Sequence, residues 1–424
     1  MFEKRQRKPL KIAFFTDDYH PYVHGVVSSI DSYRSALEAM GHEVYVIAPK
    51  APDFEDNDEH VIRMPSLNAI IFEKRRISPL YPGMERRLKK YDFDIVHSQT
   101  QFYMGVLAKI VSKKKNIPHI STMHTIFTEM IDDYPWMIRA AFIGVSIGYP
   151  IALKTKPVLA IEDFERDDLR NAGKQLIKKQ GWKLTNMFFN QVDYCITPSQ
   201  HLMKTLREHG LETEYEVLPN GLDITKYGQR NPDILPLEKK KNEKWIISVA
   251  RMSGEKRPSV LIESMAHVTN KSCRLILVGD GPEREQLETL AQDLGVADKV
   301  VFAGMQDRCK VAALLAESDV FALASYRFDN QPVVILEAIA SGLPVVYCDD
   351  QLTEGLTPSN ACLTKGIEGQ DFAAVFDKLL ADETLRKKMG KASKTVAADF
   401  DIKQLAKRLE QIYYRQRHMH GYDD

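Results

Sequence analysis

Short unbroken apolar runs alternate along this chain with longer stretches in which apolar residues recur at helical spacing. The first pattern marks buried strands and the second amphipathic helices, so their alternation predicts α/β domains with parallel sheets. Residues 11–15 predict a strand, 16–26 a loop, 28–40 a helix stopped by Gly41, and 43–48 a second strand. Further strands are expected at 95–100, 117–123 and 192–197, and helices at 102–116 and 200–209. Ser199 caps the latter helix and Gly210 ends it. A Pro-Asn-Gly turn at 219–221 and a polar stretch with two prolines at 231–242 place a domain boundary near residue 220.

Beyond that boundary the alternation resumes, with strands at 245–250, 274–278 and 320–322. Residues 325–331 form a polar and aromatic loop. Pro332 suits the first position of the helix that follows, because its missing N–H would be unpaired there anyway. Gly342 stops that helix and Pro344 bars its continuation. Helices close the chain at 371–380, 383–390 and 404–414.

Two stretches depart from this regularity. Residues 72–90 carry Lys74, Arg75, Arg76, Arg86, Arg87, Lys89 and Lys90 against Glu73 and Glu85. Such a run reads as a solvated face or as a patch for anionic phospholipid headgroups. Residues 137–153 are largely apolar but shorter than the ~20 residues of a spanning helix and broken by Pro150. With Lys154 and Lys156 directly after them and Lys174, Lys178, Lys179 and Lys183 further on, they read as a monotopic membrane contact or as a core or dimer-forming helix.

Composition narrows the class. The 424 residues suffice for two or three domains with ample core. A formal net charge of zero gives no support to nucleic-acid binding through bulk charge. The five cysteines are scattered and lack a Cys-x-x-Cys pair, which favours a reducing compartment over zinc or a disulfide framework. The basic start lacks the long apolar core of a signal peptide, so the expected location is cytoplasmic.

The chemistry gathers at predicted strand ends. Arg251 and Lys256 lie on one loop after a strand and can converge on a diphosphate, the first as a planar fork and the second as a point charge. Asp329 stands just before a helix and Glu337 on its second turn, offering acceptors to sugar and ribose hydroxyls, with helix N–H groups for an anion between them. Gly279 and Gly281 form a Gly-x-Gly turn without the third glycine of a dinucleotide fingerprint. Gly25, in the loop after the first strand, allows close backbone approach of a ligand. His124 ends a strand where substrate would be met, and His97 is open between a structural and a functional role.

The run EAIASGLPVV from Glu337 to Val346 resembles the donor-site signature of the retaining glycosyltransferases of family four, which have the GT-B fold. That signature has a glutamate where this chain has Asp329, which leaves the sugar identity open. Other parts of the family pattern occur in order: Arg251 with Lys256, the GDGPE turn, and the PNG-x-D hinge. The stretches TDDYHPYVHGVVSSI, HSQTQFYMGVLAK and ISTMHTIF, and the Asp329-Asn330-Gln331 sequence, resemble the bacterial diacylglycerol glucosyltransferases. The likeness is weakest across an insertion at about 130–190.

The resemblance implies two Rossmann-like α/β domains facing across a cleft. Residues 1–220 would bind the acceptor, 221–400 the nucleotide sugar, and 401–424 would form a helix crossing back to the first domain. It implies transfer of a hexose, glucose from UDP-glucose by preference, to a membrane lipid such as diacylglycerol. Arg251 and Lys256 would hold the diphosphate, and Glu337 the ribose. Asp329, Asn330 and Gln331 would hold the sugar, and His124 would touch sugar or acceptor. Gly25 would admit phosphate, Gly281 and Met305 would lie against the nucleotide, and His97 would belong to the acceptor side. No metal or other cofactor is implied, and the expected partners are a nucleotide sugar, a lipid acceptor and the anionic inner face of the cell membrane. The alternatives are a soluble or polysaccharide acceptor, a GDP-mannose or UDP-galactose donor, and a non-catalytic nucleotide-sugar-binding module.

Overall fold

The computed structural model describes residues 8–22, 24–68, 76–124 and 181–422. They divide into two compact units, Met1–Pro219 with Leu405–Asp424, and Asn220–Gln404. Most of the apolar insertion, including residues 137–153, and the Lys74 and Arg75 positions lie outside the described residues.

The first unit is built on β1 (Lys11–Phe15), β2 (Glu43–Pro49), β3 (Val61–Met64), β6 (Ile95–Ser98), β7 (His119–Thr122), β8 (Tyr194–Thr197) and β9 (Tyr215–Val217). A small hairpin of β4 (Leu67–Asn68) and β5 (Arg76–Ile77) stands apart from this sheet. The seven strands are parallel in the order β3-β2-β1-β6-β7-β8-β9. Helices Gly25–Ala39 and Tyr103–Lys115 follow β1 and β6. β6, β7 and β8 are buried along their whole length and β1 from Ile12 onward, as a parallel sheet covered on both faces requires, although β7 is His-Ile-Ser-Thr.

The second unit repeats the plan with β10 (Lys244–Val249), β11 (Cys273–Val278), β12 (Val300–Gly304), β13 (Val320–Leu323), β14 (Val345–Tyr347) and β15 (Ala361–Leu363). All pair in parallel, in the order β12-β11-β10-β13-β14-β15. Both sheets therefore have the doubly wound order whose direction reverses beside the first strand, between β1 and β6 and between β10 and β13. Two such units make the GT-B fold. Helices cover both faces of the second sheet, with Phe372 and Phe376 on one side and Leu336 and Ile339 on the other.

Helix Val333–Ala340 ends as the sequence indicates. Gly342 takes φ +82°, its N–H donates to Ile339 O at 3.0 Å, and Leu343 N–H donates to Ala338 O at 3.1 Å, a Schellman closure. Pro332 is the N-cap rather than the first helical residue, because its ψ of 119° is extended.

The C-terminal helix, Ile402–Met419, is longer than its apolar spacing indicates, and from Leu405 onward it packs on the first unit. Tyr413, fully buried, bonds His97 Nδ1 at 2.7 Å; Glu410 bonds His42 at 3.0 Å; Arg417 pairs with Asp94 at 2.7 Å. Among the described residues no helix is long and apolar enough to cross a membrane.

Candidate active site

At the reversal point of the second sheet, two loops meet. The loop after β10 carries Arg251 to Lys256, and the loop after β13 carries Ser325 to Gln331. They are joined by Lys256 Nζ donating to Asp329 Oδ1 at 2.6 Å. The Lys256 ammonium also lies 4.8 Å from the centre of the Phe328 ring. Asp329 Oδ2 is buried without a partner among the described residues. Arg251 is exposed on the turn, and its guanidinium has no partner among the described residues.

The glycine turn after β11 shapes this place from below. A Cβ on Gly281 would stand 2.2 Å from Met252 O, and one on Gly279, at φ +129°, 2.1 Å from Ala250 O. Met252 N–H donates to Asp280 O at 3.0 Å and Glu283 N–H to Met252 O at 3.1 Å. Gly281 is thus pressed against the Arg251 loop, and its lack of a side chain is explained by that backbone. Met305, just past β12, is an exposed apolar side chain at 69% accessibility.

The loop carrying Asp329 is clamped at both ends. Arg327 adopts φ +54°, and its N–H donates to buried Asp349 Oδ2 at 2.6 Å. Gln331 is itself buried: its Oε1 accepts from Asn220 N–H at 2.6 Å and its carbonyl from Asn220 Nδ2 at 3.3 Å. The Gln331 side chain thus ties the loop to the Pro-Asn-Gly segment, and its Nε2 is buried without a partner among the described residues. Asn330 lies between these clamps, partly buried.

Glu337, one helical turn further in, accepts from Tyr227 OH at 3.0 Å. Burial raises its pKa, opposed by the Tyr227 hydrogen bond and the nearby Arg308 charge. Tyr227 lies 110 residues away in sequence, and no pattern in the chain marks it or Arg308 as companions of Glu337.

The reversal point of the first sheet gathers a different set. Asp17, after β1, accepts from Met104 N–H at 3.1 Å at the start of helix Tyr103–Lys115, and from the Thr100 hydroxyl. Burial pushes Asp17 up to about 6. His124, after β7, bonds Gln99 Oε1 through Nε2 at 2.9 Å. Burial, and then the neighbouring His24 imidazole, push it down to about 4, so its ring is neutral at physiological pH. His24 pairs with Asp18 at 2.5 Å and stands at the N-cap position of the helix that Gly25 begins, with no side-chain capping bond to it. Gly25 is exposed, and a Cβ there would meet nothing within 4 Å.

His97 corrects one expectation. It is 2% exposed, with Nδ1 bonded to Tyr413 OH and Nε2 to Thr122 Oγ1, both at 2.7 Å. Burial drives its pKa down to about 3. Both ring nitrogens are used inside the unit, so His97 supports the strand ends and does not reach an acceptor. The Arg76 guanidinium donates to Ser66 and Asn68 and braces the β4–β5 hairpin.

Arg86 and Arg87 remain exposed on the short helix Met84–Leu88, with Lys89 and Lys90 beside them. The structure adds lysines that the sequence reading left aside. Lys114 pairs with Glu85 and Lys115 Nζ donates to Tyr91 O at 2.6 Å, so the basic end of helix Tyr103–Lys115 joins this surface. The end of the insertion does not join it: residues 181–189 are helical and bury Trp182, Phe188 and Phe189 in the core.

Ionising Asp17 in the buried site opposes folding. Its folded pKa of about 6 lies above the ordinary aspartate value near 4, so the stability linked to its proton is present below pH ~4 and lost as pH rises through about 6. Asp17→Asn retains an acceptor for Met104 N–H and removes the charge. The expected result is a gain of about 1–2 kcal/mol at pH 8 that disappears at pH 4, read by thermal melts across pH.

Two family models account for most of the chain. Glycosyltransferase Family 4 matches residues 23–226 and Glycosyl transferases group 1 matches residues 230–396. The chain belongs to the family-four glycosyltransferases. An α-monoglucosyldiacylglycerol synthase of Streptococcus pneumoniae is 29% identical over 350 residues, 80% of this chain and 70% of its own. A protein of the same description from Acholeplasma laidlawii is 26% identical, covering 81% of each chain. In solved structures, the Anabaena protein HepE in complex with UDP matches with a TM-score of 0.70 at 19% identity, covering 96% of this chain and all of that one. This hexosyltransferase thus shares its fold with HepE, and its sequence is similar to glycolipid-forming enzymes.

Proposed function

We propose that this glycosyltransferase moves glucose from UDP-glucose to a membrane lipid, diacylglycerol, with retention at the anomeric carbon. The observation that carries the proposal is the likeness, over four-fifths of the chain, to two α-monoglucosyldiacylglycerol synthases. In this reading the second unit holds the donor. Arg251 and Lys256 neutralise the diphosphate and stabilise it as it leaves, which is electrostatic catalysis. Glu337, positioned by Tyr227, accepts from ribose hydroxyls. Asp329 and the backbone at Asn330 and Gln331 meet the sugar. Gly281 keeps the Arg251 loop in place, and Met305 lies beside the nucleotide base.

The first unit takes the acceptor. Neutral His124 offers a hydrogen bond to the sugar or the acceptor hydroxyl, and the open surface at Gly25 leaves room for phosphate. The departing phosphate accepts the acceptor's proton on the same face of the sugar, so the protein contributes positioning and charge stabilisation. Two cationic side chains at the diphosphate replace a metal ion in this scheme. The exposed Arg86, Arg87, Lys89 and Lys90 hold the enzyme on the anionic inner face of the cell membrane, at about 1 kcal/mol per basic residue.

The test is turnover of UDP-glucose, UDP-galactose and GDP-mannose, with and without diacylglycerol in anionic vesicles, in the presence and absence of a chelator. A glucolipid formed from UDP-glucose only with vesicles, at the same rate in chelator, is the expected result. Nucleotide release without a lipid product would remove the lipid acceptor, and loss of turnover in chelator would remove metal independence.

A further inference from the structure

Lys256 and Asp329 bind each other where each would also be needed for donor. Their side chains are 18% and 13% exposed, and the contact of 2.6 Å is that of a charge-assisted hydrogen bond. The arrangement is held from both sides: Arg327 is fixed to Asp349, Gln331 is fixed to Asn220, and the Phe328 ring lies against the ammonium. The carboxylate's other oxygen, Oδ2, is buried without a partner among the described residues.

A diphosphate at Lys256 disturbs this balance. If the ammonium turns to the phosphate, a mostly buried carboxylate loses its cation, and breaking such a pair on one side is strongly unfavourable. If the ammonium stays between them, carboxylate and phosphate repel. The intact nucleotide sugar brings its own remedy, because a hydroxyl group on the transferred sugar can donate to Asp329 Oδ1 as the ammonium leaves it. A nucleoside diphosphate lacks that group.

We propose that the Lys256–Asp329 pair is a donor-operated latch that opens for a nucleotide sugar and, by re-forming after transfer, weakens the hold on the nucleoside diphosphate product. This deepens the donor-site reading and rests on it. The latch makes Asp329 a determinant of discrimination between substrate and product, in addition to its contact with the sugar. Opposite effects on two ligands follow from removing one charge.

The experiment measures UDP and UDP-glucose binding by calorimetry, with steady-state turnover, for the wild type, Asp329→Asn and Asp329→Ala, with melting curves to confirm folding. GDP and GDP-mannose serve as the second ligand pair. The expected result is that both variants bind the nucleoside diphosphate about tenfold more tightly than the wild type, because the closed state no longer competes. Transfer from the nucleotide sugar falls in the same variants, and product inhibition by the diphosphate becomes stronger. A purely structural role for Asp329 would weaken both ligands together. Folded variants that bind the diphosphate no more tightly than the wild type would overturn the latch and leave the donor site standing. A wild type that binds neither nucleoside diphosphate nor either nucleotide sugar would overturn both.

Discussion

Arg251→Ala lowers kcat/KM for glycosyl transfer by about 10²–10³-fold, the cost of removing a preorganised charge from a developing anion. The side chain is exposed and its guanidinium has no partner among the described residues, so its loss leaves no buried group stranded. Melting temperature is therefore expected to stay within the small range typical of surface substitutions. Arg251→Lys restores only part of the activity, because an ammonium cannot make the planar two-point contact of a guanidinium. Steady-state kinetics with the nucleotide sugar, alongside thermal melts, check this. Undiminished transfer by Arg251→Ala would remove Arg251 from the diphosphate site.

Gly279→Ala has the largest expected effect on stability, about 3–4 kcal/mol, in the range of substitutions that force a well-packed backbone apart. The residue has φ +129°, where a side chain is strained whatever space surrounds it. The added Cβ would also stand 2.1 Å from Ala250 O and 3.0 Å from Ala250 C, both backbone atoms at the end of β10. Relief requires moving the residues that lead into Arg251, so activity falls together with stability. Gly25→Ala is the contrast, since open space surrounds the new methyl group and stability should hold. Chemical denaturation of the two variants separates the cases. A Gly279→Ala protein as stable as the wild type would show that the turn after β11 does not press on β10.

Much of the fold is legible along the chain because many of its strands are buried on both faces and stay largely apolar. Phe14, Ile246 and Val345 sit in such runs, each fully buried. Helix ends at Gly41, Gly210 and Gly342 are equally legible, since each adopts the positive φ that glycine tolerates best. The helix Glu383–Ala397 continues past Gly390, where an early end was expected. Gly390 is retained in mid-helix because its Cβ would fall 2.3 Å from Gly342 O on the neighbouring element, a packing reason that a linear pattern does not carry.

The chain itself carries the candidate groups and the frame that presents them: an Arg and a Lys after one strand, Asp329 and Glu337 after another, and strand–helix alternation to bring strand ends together. Those features are local, fixed by residue type and spacing within a loop or a helical turn. Partnership was decided only by the tertiary structure. His97 lies in β6 and His124 just after β7 of the same sheet, yet one is enclosed by Tyr413 and Thr122 while the other meets Gln99 at the reversal point. Glu337 acquires Tyr227, Asp329 acquires Lys256, and the lysines of helix Tyr103–Lys115 come to lie beside Arg86 and Arg87. Burial and charge at a side chain depend on elements tens to hundreds of residues away, and it is sheet order and helix packing that bring those elements into contact.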